Sequence, residues 1–214
     1  MNGEVRLYDK PECPFCWRVR MALQRCGVEY QPYPYDDPAH LQSWRKFAPA
    51  NTVPVLMIDE IVITESGVML EYLNDSYGDL LPASARERAL ARGVAHYADT
   101  QVGGAVRKLV FERRQRQPRE WDQEIIAEAM QEWHLALPRL EKALLESDYF
   151  VAHAGIPDYV LASRFGLAMA YGMPPPQTPL LADWFDRMAK RSEFLDTSPG
   201  VVSEALRRGW QIFA

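Results

Sequence analysis

Cysteine is scarce in this chain, with three residues in 214. A small, odd count in a chain of this length is no disulfide framework, and a reducing cytoplasm is the expected compartment. Histidine offers no metal pattern. His40, His96, His134 and His153 never fall at a paired spacing, so a zinc site lacks the second half of its ligand set and no metal is expected. Long apolar runs are missing. None approaches the ~18 residues of a membrane span, and the opening MNGEVRLYDK has neither the basic nor the apolar region of a secretory signal. An excess of positive charge is missing too: 24 Lys and Arg against 29 Asp and Glu leave a net charge of -5. Without a basic stripe interleaved with aromatics, nucleic acid is not an expected partner. The run Arg113-Arg114-Gln115-Arg116 lies in a predicted helix among acids and reads as a solvated helix face.

The last absence is positional: strand signals stop at about residue 84. Before that point they alternate with helix signals. Residues 5–8 read as a strand. Residues 14–26 read as a helix, with Val19, Leu23 and Cys26 at helical spacing and Gly27 as its stop. Residues 29–35 read as an edge or short strand because of Pro32 and Pro34. Asp36-Asp37-Pro38 starts a short helix, a loop follows over 48–54, and 55–58 and 61–63 form a hairpin around Asp59-Glu60. Glu65-Ser66-Gly67 opens another helix. The predicted order is β-α-β-α-β-β-α over residues 1–78, with a linker at 79–84. Residues 85–214 then read as all-helical: a long stretch to about 117 that bends at Gly103-Gly104, a second from 119 to 146 kinked at Pro138, and shorter helices over 157–171 and 180–191.

Residues 11–20, PECPFCWRVR, hold the chemistry of the first half. A C-x-x-C on a βα turn of a cytosolic α/β domain is a thioredoxin-like redox signal. Cys13 falls at a helix N-terminus, where free N–H groups and the dipole favour an anion and lower a thiol pKa. Cys16 is one turn on and can reach back. Arg18 and Arg20 add positive charge nearby. The bland alternative, two inert core cysteines, is opposed by Pro14, which suits an exposed helix start. Cys26 reads as an ordinary buried thiol. Val53-Pro54 is either a strand-start proline or a cis peptide presenting its backbone to a peptide-like ligand. Glu65-Ser66 is a weak cap taken alone. At a helix start, however, the free N–H groups and the Ser66 hydroxyl suit a carboxylate, and Glu65 suits an ammonium group. Together the three features fit a small thiol peptide with an amino-acid end.

CPFC at 13–16, VPVL at 53–56 and TESGVMLEYL at 64–73 resemble, in order and spacing, the cytosolic glutathione transferase superfamily, and the helical second half fits the same resemblance. It implies an α/β thioredoxin-like N-terminal domain followed by an all-α C-terminal domain, and glutathione as cosubstrate. It further implies that Val53 pairs with the cysteinyl backbone of glutathione, that Glu65 and Ser66 hold its γ-glutamyl end, and that Phe15 and Pro54 line the same site. A cysteine at position 13 is similar to the omega-type and two-domain glutaredoxin-like members. HAGIPDYVLA at 153–162 resembles the family's folding motif, with Asp158 as its acid and Gly155 where a Ser or Thr cap is usual. Thr52 stands where many members carry a Lys or Gln near the glycine carboxylate; Arg45, Lys46 or His40 are the candidate substitutes. A homodimer is expected from the resemblance alone.

Three functions follow. The first is a thiol transferase or disulfide reductase with Cys13 as nucleophile and Cys16 as resolver, acting on a disulfide or a glutathione adduct. The second is conjugation of glutathione to a small electrophile, its pocket lined by Tyr97, Gln101, Lys108 and Phe111, which could equally be core or surface residues. The third is a non-enzymatic binding or regulatory role on the same fold.

Overall fold

The computed structural model describes residues 4–48, 51–145 and 147–210. The chain divides between Leu80 and Leu81 into two compact units. The first is a four-stranded mixed sheet with three helices. In chain order it runs β1 (Val5–Asp9), α1 (Pro14–Arg25), β2 (Gln31–Pro34), α2 (Pro38–Phe47), β3 (Val55–Ile58), β4 (Ile61–Ile63) and α3 (Ser66–Tyr77). The strand order is β2-β1-β3-β4, with β1 parallel to β2 and antiparallel to β3. This is the expected thioredoxin-like arrangement.

Side-chain alternation divides the sheet between two layers. Leu7 lies opposite Leu56 and Tyr8 opposite Val55 in the β1–β3 register. Tyr8, Val55 and Met57 form one cluster with Trp44 and Ala48, flanked by Tyr33, Tyr35, Leu41 and Phe47. Helices α1 and α3 pack together, burying Trp17, Met21, Leu23, Met69, Leu70 and Leu73. Asp37 caps α2 by accepting the N–H of Ala39 at 2.9 Å. The second strand is shorter than the expected 29–35. Its two prolines have no N–H to donate, and it pairs with β1 alone along four residues at the sheet edge.

The second unit is helical: α4 (Ala85–Tyr97), a π-helical turn (Ala98–Val102), α5 (Gly103–Gln115), a 3-10 turn (Pro118–Glu120), α6 (Gln123–Ala143), α7 (Ile156–Ala170), α8 (Pro179–Ala189), α9 (Ser192–Thr197) and α10 (Gly200–Arg207). Its axis is α7, buried on every side, around which Trp133, Phe165, Trp184 and Phe185 stack. Such an all-round apolar helix belongs at the centre of a bundle.

The helical half differs from expectation in several places. The irregularity in the 85–117 stretch precedes the glycines and is a π turn. Arg164 reaches into it from α7 to bond Asp99 at 3.0 Å, and a Cβ on Gly103 would stand 3.2 Å from the Arg164 Cζ and 3.3 Å from the Ala98 carbonyl oxygen. The next long helix begins at Gln123, not at 119, because Pro118 closes a separate turn and Asp122 is the true cap, accepting from Glu124 and Ile125. That helix then passes through Pro138 without interruption. Helices α9 and α10 were not expected at all; at six and eight residues they are too short to show a periodic pattern.

Candidate functional site

Cys13 is the N-cap of α1, in extended conformation at φ -93°, ψ 120°, and Pro14 occupies the first helical position. Proline has no N–H, so the first free donors of the helix belong to Phe15 and Cys16. Their N–H groups act on the Cys13 sulfur as on an anion, although no bond of full capping geometry forms. The strongest influence is the Cys16 thiol, which donates to the Cys13 thiolate. Together these bring the Cys13 pKa down from 9.0 to about 6, against the opposing effects of burial and of the Asp9 charge. Cys16 is fully buried, and burial, then the neighbouring Cys13, push its thiol well above its ordinary value. The two cysteines are therefore chemically unequal: one is a thiolate at neutral pH, the other a hydrogen-bond donor. Both are free thiols.

The Cys13 sulfur lies 4.0 Å from the carbonyl oxygen of Val53, and the Val53–Pro54 peptide is cis. Loop and helix start thus meet, as the motif order suggests. At the α3 end, Glu65 is exposed and holds a left-handed backbone, φ 66°, ψ 108°, rare for a residue with a Cβ. Ser66 is buried, and its hydroxyl oxygen accepts from Arg18 Nε at 3.1 Å and Nη2 at 2.7 Å. The Arg18 guanidinium also lies 4.8 Å from the ring centre of Phe15, which is 38% exposed. Arg18 is only 3% exposed and was not expected to contact Ser66. The sequence signals positive charge beside the thiolate. The structure directs Arg18 to α3 and Arg20 to Asp9; the groups that most lower the Cys13 pKa are the Cys16 thiol and the two helix N–H groups.

Other expected residues fall outside this constellation. The Thr52 carbonyl receives the Trp44 indole N–H at 3.3 Å. His40 stacks on Tyr33 with ring centres 4.2 Å apart and faces Asp37 at 3.8 Å. Arg45 is exposed at the end of α2, as is Lys46 before an intermediate Phe47. Cys26 is half-buried, not fully buried as expected, with its pKa pushed up chiefly by burial.

In the helical unit, Tyr97, Gln101 and Lys108 line one cavity of about 300 Å³ with Thr100, Gly104, Glu132, Leu135 and Ala136. Lys108 bonds both Glu128 and Glu132 at 2.7 Å. Phe111, one turn beyond Lys108, is exposed beside Arg114 and is not among the residues lining this cavity.

The unit built on β1–α3 sets a low-pKa cysteine beside the Val53 carbonyl, and starts α3 with an exposed acid and a buried serine bonded to Arg18. That is a thioredoxin-like unit joined in sequence to a helical bundle. Residues 7–82 match the model of the glutathione S-transferase N-terminal domain. A Glycine max protein named a probable glutathione S-transferase is 34% identical over 150 residues, covering 69% of this chain and 63% of the relative. A Caenorhabditis elegans protein named a probable maleylacetoacetate isomerase is 34% identical over 98 residues, covering 44% of this chain and 46% of the relative. The matched stretches thus span about half to somewhat under two thirds of these curated relatives. Among solved structures, a theta class glutathione S-transferase from Xanthomonas axonopodis pv. citri, determined with glutathione bound, superposes with a TM-score of 0.79 at 22% identity, covering 91% of this chain and 97% of that one. Residues 7–82 thus carry the glutathione S-transferase N-terminal domain, and the chain beyond them is similar to members of that superfamily.

Proposed function

We propose that this protein is a glutathione-dependent thiol transferase in which the Cys13 thiolate attacks the glutathione sulfur of a glutathionylated substrate or disulfide. The S–S bond breaks, the substrate thiolate leaves and takes a proton, and Cys13 carries glutathione as a mixed disulfide. A second glutathione thiolate then attacks that disulfide, releasing oxidised glutathione and restoring the Cys13 thiolate. The observation that carries this reading is the stabilised thiolate of Cys13, held by the Cys16 donor and two helix N–H groups. Within the same reading the cis Val53–Pro54 segment offers its backbone to the cysteinyl unit, and Glu65 and Ser66 receive the γ-glutamyl end. Phe15 and Pro54 flank the bound tripeptide.

The names of the relatives favour a second reading, conjugation of glutathione to a small electrophile or isomerisation of an adduct. In that case glutathione supplies the nucleophile, and Cys13 acts only on its ionisation. The two readings separate in one experiment. Hydroxyethyl disulfide reduction and aromatic halide conjugation are measured side by side on wild type, Cys13→Ala and Cys16→Ser. Loss of disulfide reduction in Cys13→Ala, with conjugation absent throughout, is the expected result. Disulfide reduction that survives Cys13→Ala refutes the first reading, and robust conjugation by that variant establishes the second. Assembly as a homodimer in a reducing compartment is part of the same proposal.

A further inference from the structure

A buried ion pair stands beside the dithiol turn. Asp9 ends β1, and Arg20 lies one helical turn beyond Cys16 on α1, on the same face. Arg20 Nη1 donates to both Asp9 carboxylate oxygens, at 2.6 and 2.8 Å, and its Nη2 donates to the Pro11 carbonyl at 2.9 Å. The two side chains are 8% and 13% exposed. These bonds bracket Lys10, whose carbonyl accepts the N–H of Cys13 at 3.2 Å. One guanidinium thus grips both ends of the short segment from which Cys13 hangs.

Net stability is a poor account of such a pair. Desolvation of two buried charges offsets most of their attraction, and apolar replacements are often as stable. The position of the pair suggests a different role. The negative charge of Asp9 opposes thiolate formation at both Cys13 and Cys16. Other charged or titratable groups surround the turn: Lys10 and Glu12 in the loop, Arg18 on α1, Glu65 at the start of α3, and Tyr30 and Tyr35 at either end of β2. Of these, Arg18 is bound to Ser66 and Lys10 lies over the Tyr35 ring at 5.3 Å. Tyr30 senses both Arg20 and Asp9. Arg20 is the cation bonded directly to the Asp9 carboxylate.

We propose that Arg20 is a positioning residue for the dithiol: it neutralises Asp9 at the end of β1 and anchors the loop that carries Cys13. The proposal rests on the reading of Cys13 as the nucleophile. It makes a prediction of opposite signs that a purely structural ion pair does not. Asp9→Asn keeps the shape and one acceptor but removes the charge, so Cys13 ionises more easily. Arg20→Gln leaves Asp9 uncompensated, so Cys13 ionises less easily.

The test is the pH midpoint of Cys13 alkylation by iodoacetamide, followed by mass spectrometry on the full-length chain in a Cys26→Ser background. Asp9→Asn is expected to lower the midpoint by about one pH unit and Arg20→Gln to raise it by about one, the size of effect that a nearby charge produces. Near pH 6, Arg20→Gln then holds roughly five-fold less thiolate than wild type. The double variant returns close to the wild-type midpoint, and Arg20→Lys, which keeps the charge, stays near it. An unmoved midpoint in Asp9→Asn overturns the proposal, as does movement of both single variants in the same direction. Should Arg20→Gln fail to fold by circular dichroism, Asp9→Asn alone decides by the same criterion. Alkylation consumes no glutathione, so the two readings fail separately. Disulfide reduction that persists in Cys13→Ala defeats the nucleophile reading and leaves the titration result intact. A static Asp9→Asn midpoint beside an inactive Cys13→Ala defeats only the role of Arg20.

Discussion

Replacing Cys16 with alanine removes the strongest support of the Cys13 thiolate, and the consequence can be worked out in numbers. Bringing the Cys13 pKa from 9.0 to about 6 corresponds to about 4 kcal/mol of preference for the charged form. The Cys16 thiol supplies the largest share, and the N–H groups of Phe15 and Cys16 remain in the variant. Cys16→Ala is therefore expected to raise the Cys13 midpoint by roughly 1–2 units, within the range that loss of a hydrogen bond to a charged group allows. Cys16→Ser keeps a hydroxyl donor in place and stays near the wild-type midpoint. A single rate at neutral pH is a poor assay, because a thiolate of higher pKa is also the better nucleophile, with a Brønsted slope of about 0.4–0.5. The two effects nearly cancel near pH 7. Near pH 5, however, the alanine variant should alkylate roughly three- to ten-fold more slowly than wild type. The full pH profile of carbamidomethylation, supported by thiolate ultraviolet absorbance, gives the midpoint directly. If Cys16→Ala titrates with wild type, or if Cys16→Ser shifts as far as Cys16→Ala, Cys16 is not the donor and the inequality of the two cysteines has another origin.

Two stability measurements address the helical unit. Asp158 is completely buried, and burial pushes its pKa up from 3.8 to about 6, although it accepts the N–H groups of Gly155 and Phe150 and the Trp184 indole. A folded-state pKa above the unfolded one means that this group's contribution is fully present below about pH 4 and is lost as pH rises through 6. The urea-unfolding free energy of wild type relative to Asp158→Asn should therefore fall by about 2 kcal/mol between pH 4 and pH 7, and a flat difference refutes the assignment. Gly103→Ala should destabilise by about 1–2 kcal/mol, because its Cβ meets the Ala98 carbonyl and the Arg164 guanidinium that is tied to Asp99. Gly104→Ala meets nothing within 4 Å and should gain up to about 1 kcal/mol from helix propensity; thermal melts of the pair reveal whether the contact is as tight as the geometry says.

The parts of the fold that were legible in the sequence are those governed by local chemistry. Pro14 after Cys13, Pro38 after Asp37 and Gly27 beyond α1 mark helix ends through backbone rules that act within a few residues. The β-α-β-α-β-β-α order followed from them. Contacts between distant segments were not legible. Nothing near Arg18 announces that its guanidinium ends on Ser66, 48 residues away, and nothing near Asp99 announces its bond to Arg164, 65 residues away. At the candidate site, Cys13, Val53, Glu65 and Ser66 each lie at or next to an element terminus that sequence punctuation marks. The partners that tune them, Asp9, Arg18 and Arg20, sit in element interiors or at ends without such marks. Helical spacing places Phe111 in line with Tyr97, Gln101 and Lys108, yet three of the four line the described cavity and Phe111 does not.

The pair of bonds from Arg18 to Ser66 carries a consequence for what the α3 end of the site can read. A serine hydroxyl offers two lone pairs and one proton. Arg18 Nε and Nη2 occupy both lone pairs. Only the proton is left to address a newcomer, so Ser66 can give a hydrogen bond and cannot receive one. Any group that meets it must be an acceptor. A carboxylate qualifies in either orientation; a primary amide qualifies only through its oxygen, and an ammonium not at all. The buried guanidinium thus turns an ambivalent hydroxyl into a one-way polarity filter, placed where the backbone N–H groups at the start of α3 impose the same sign.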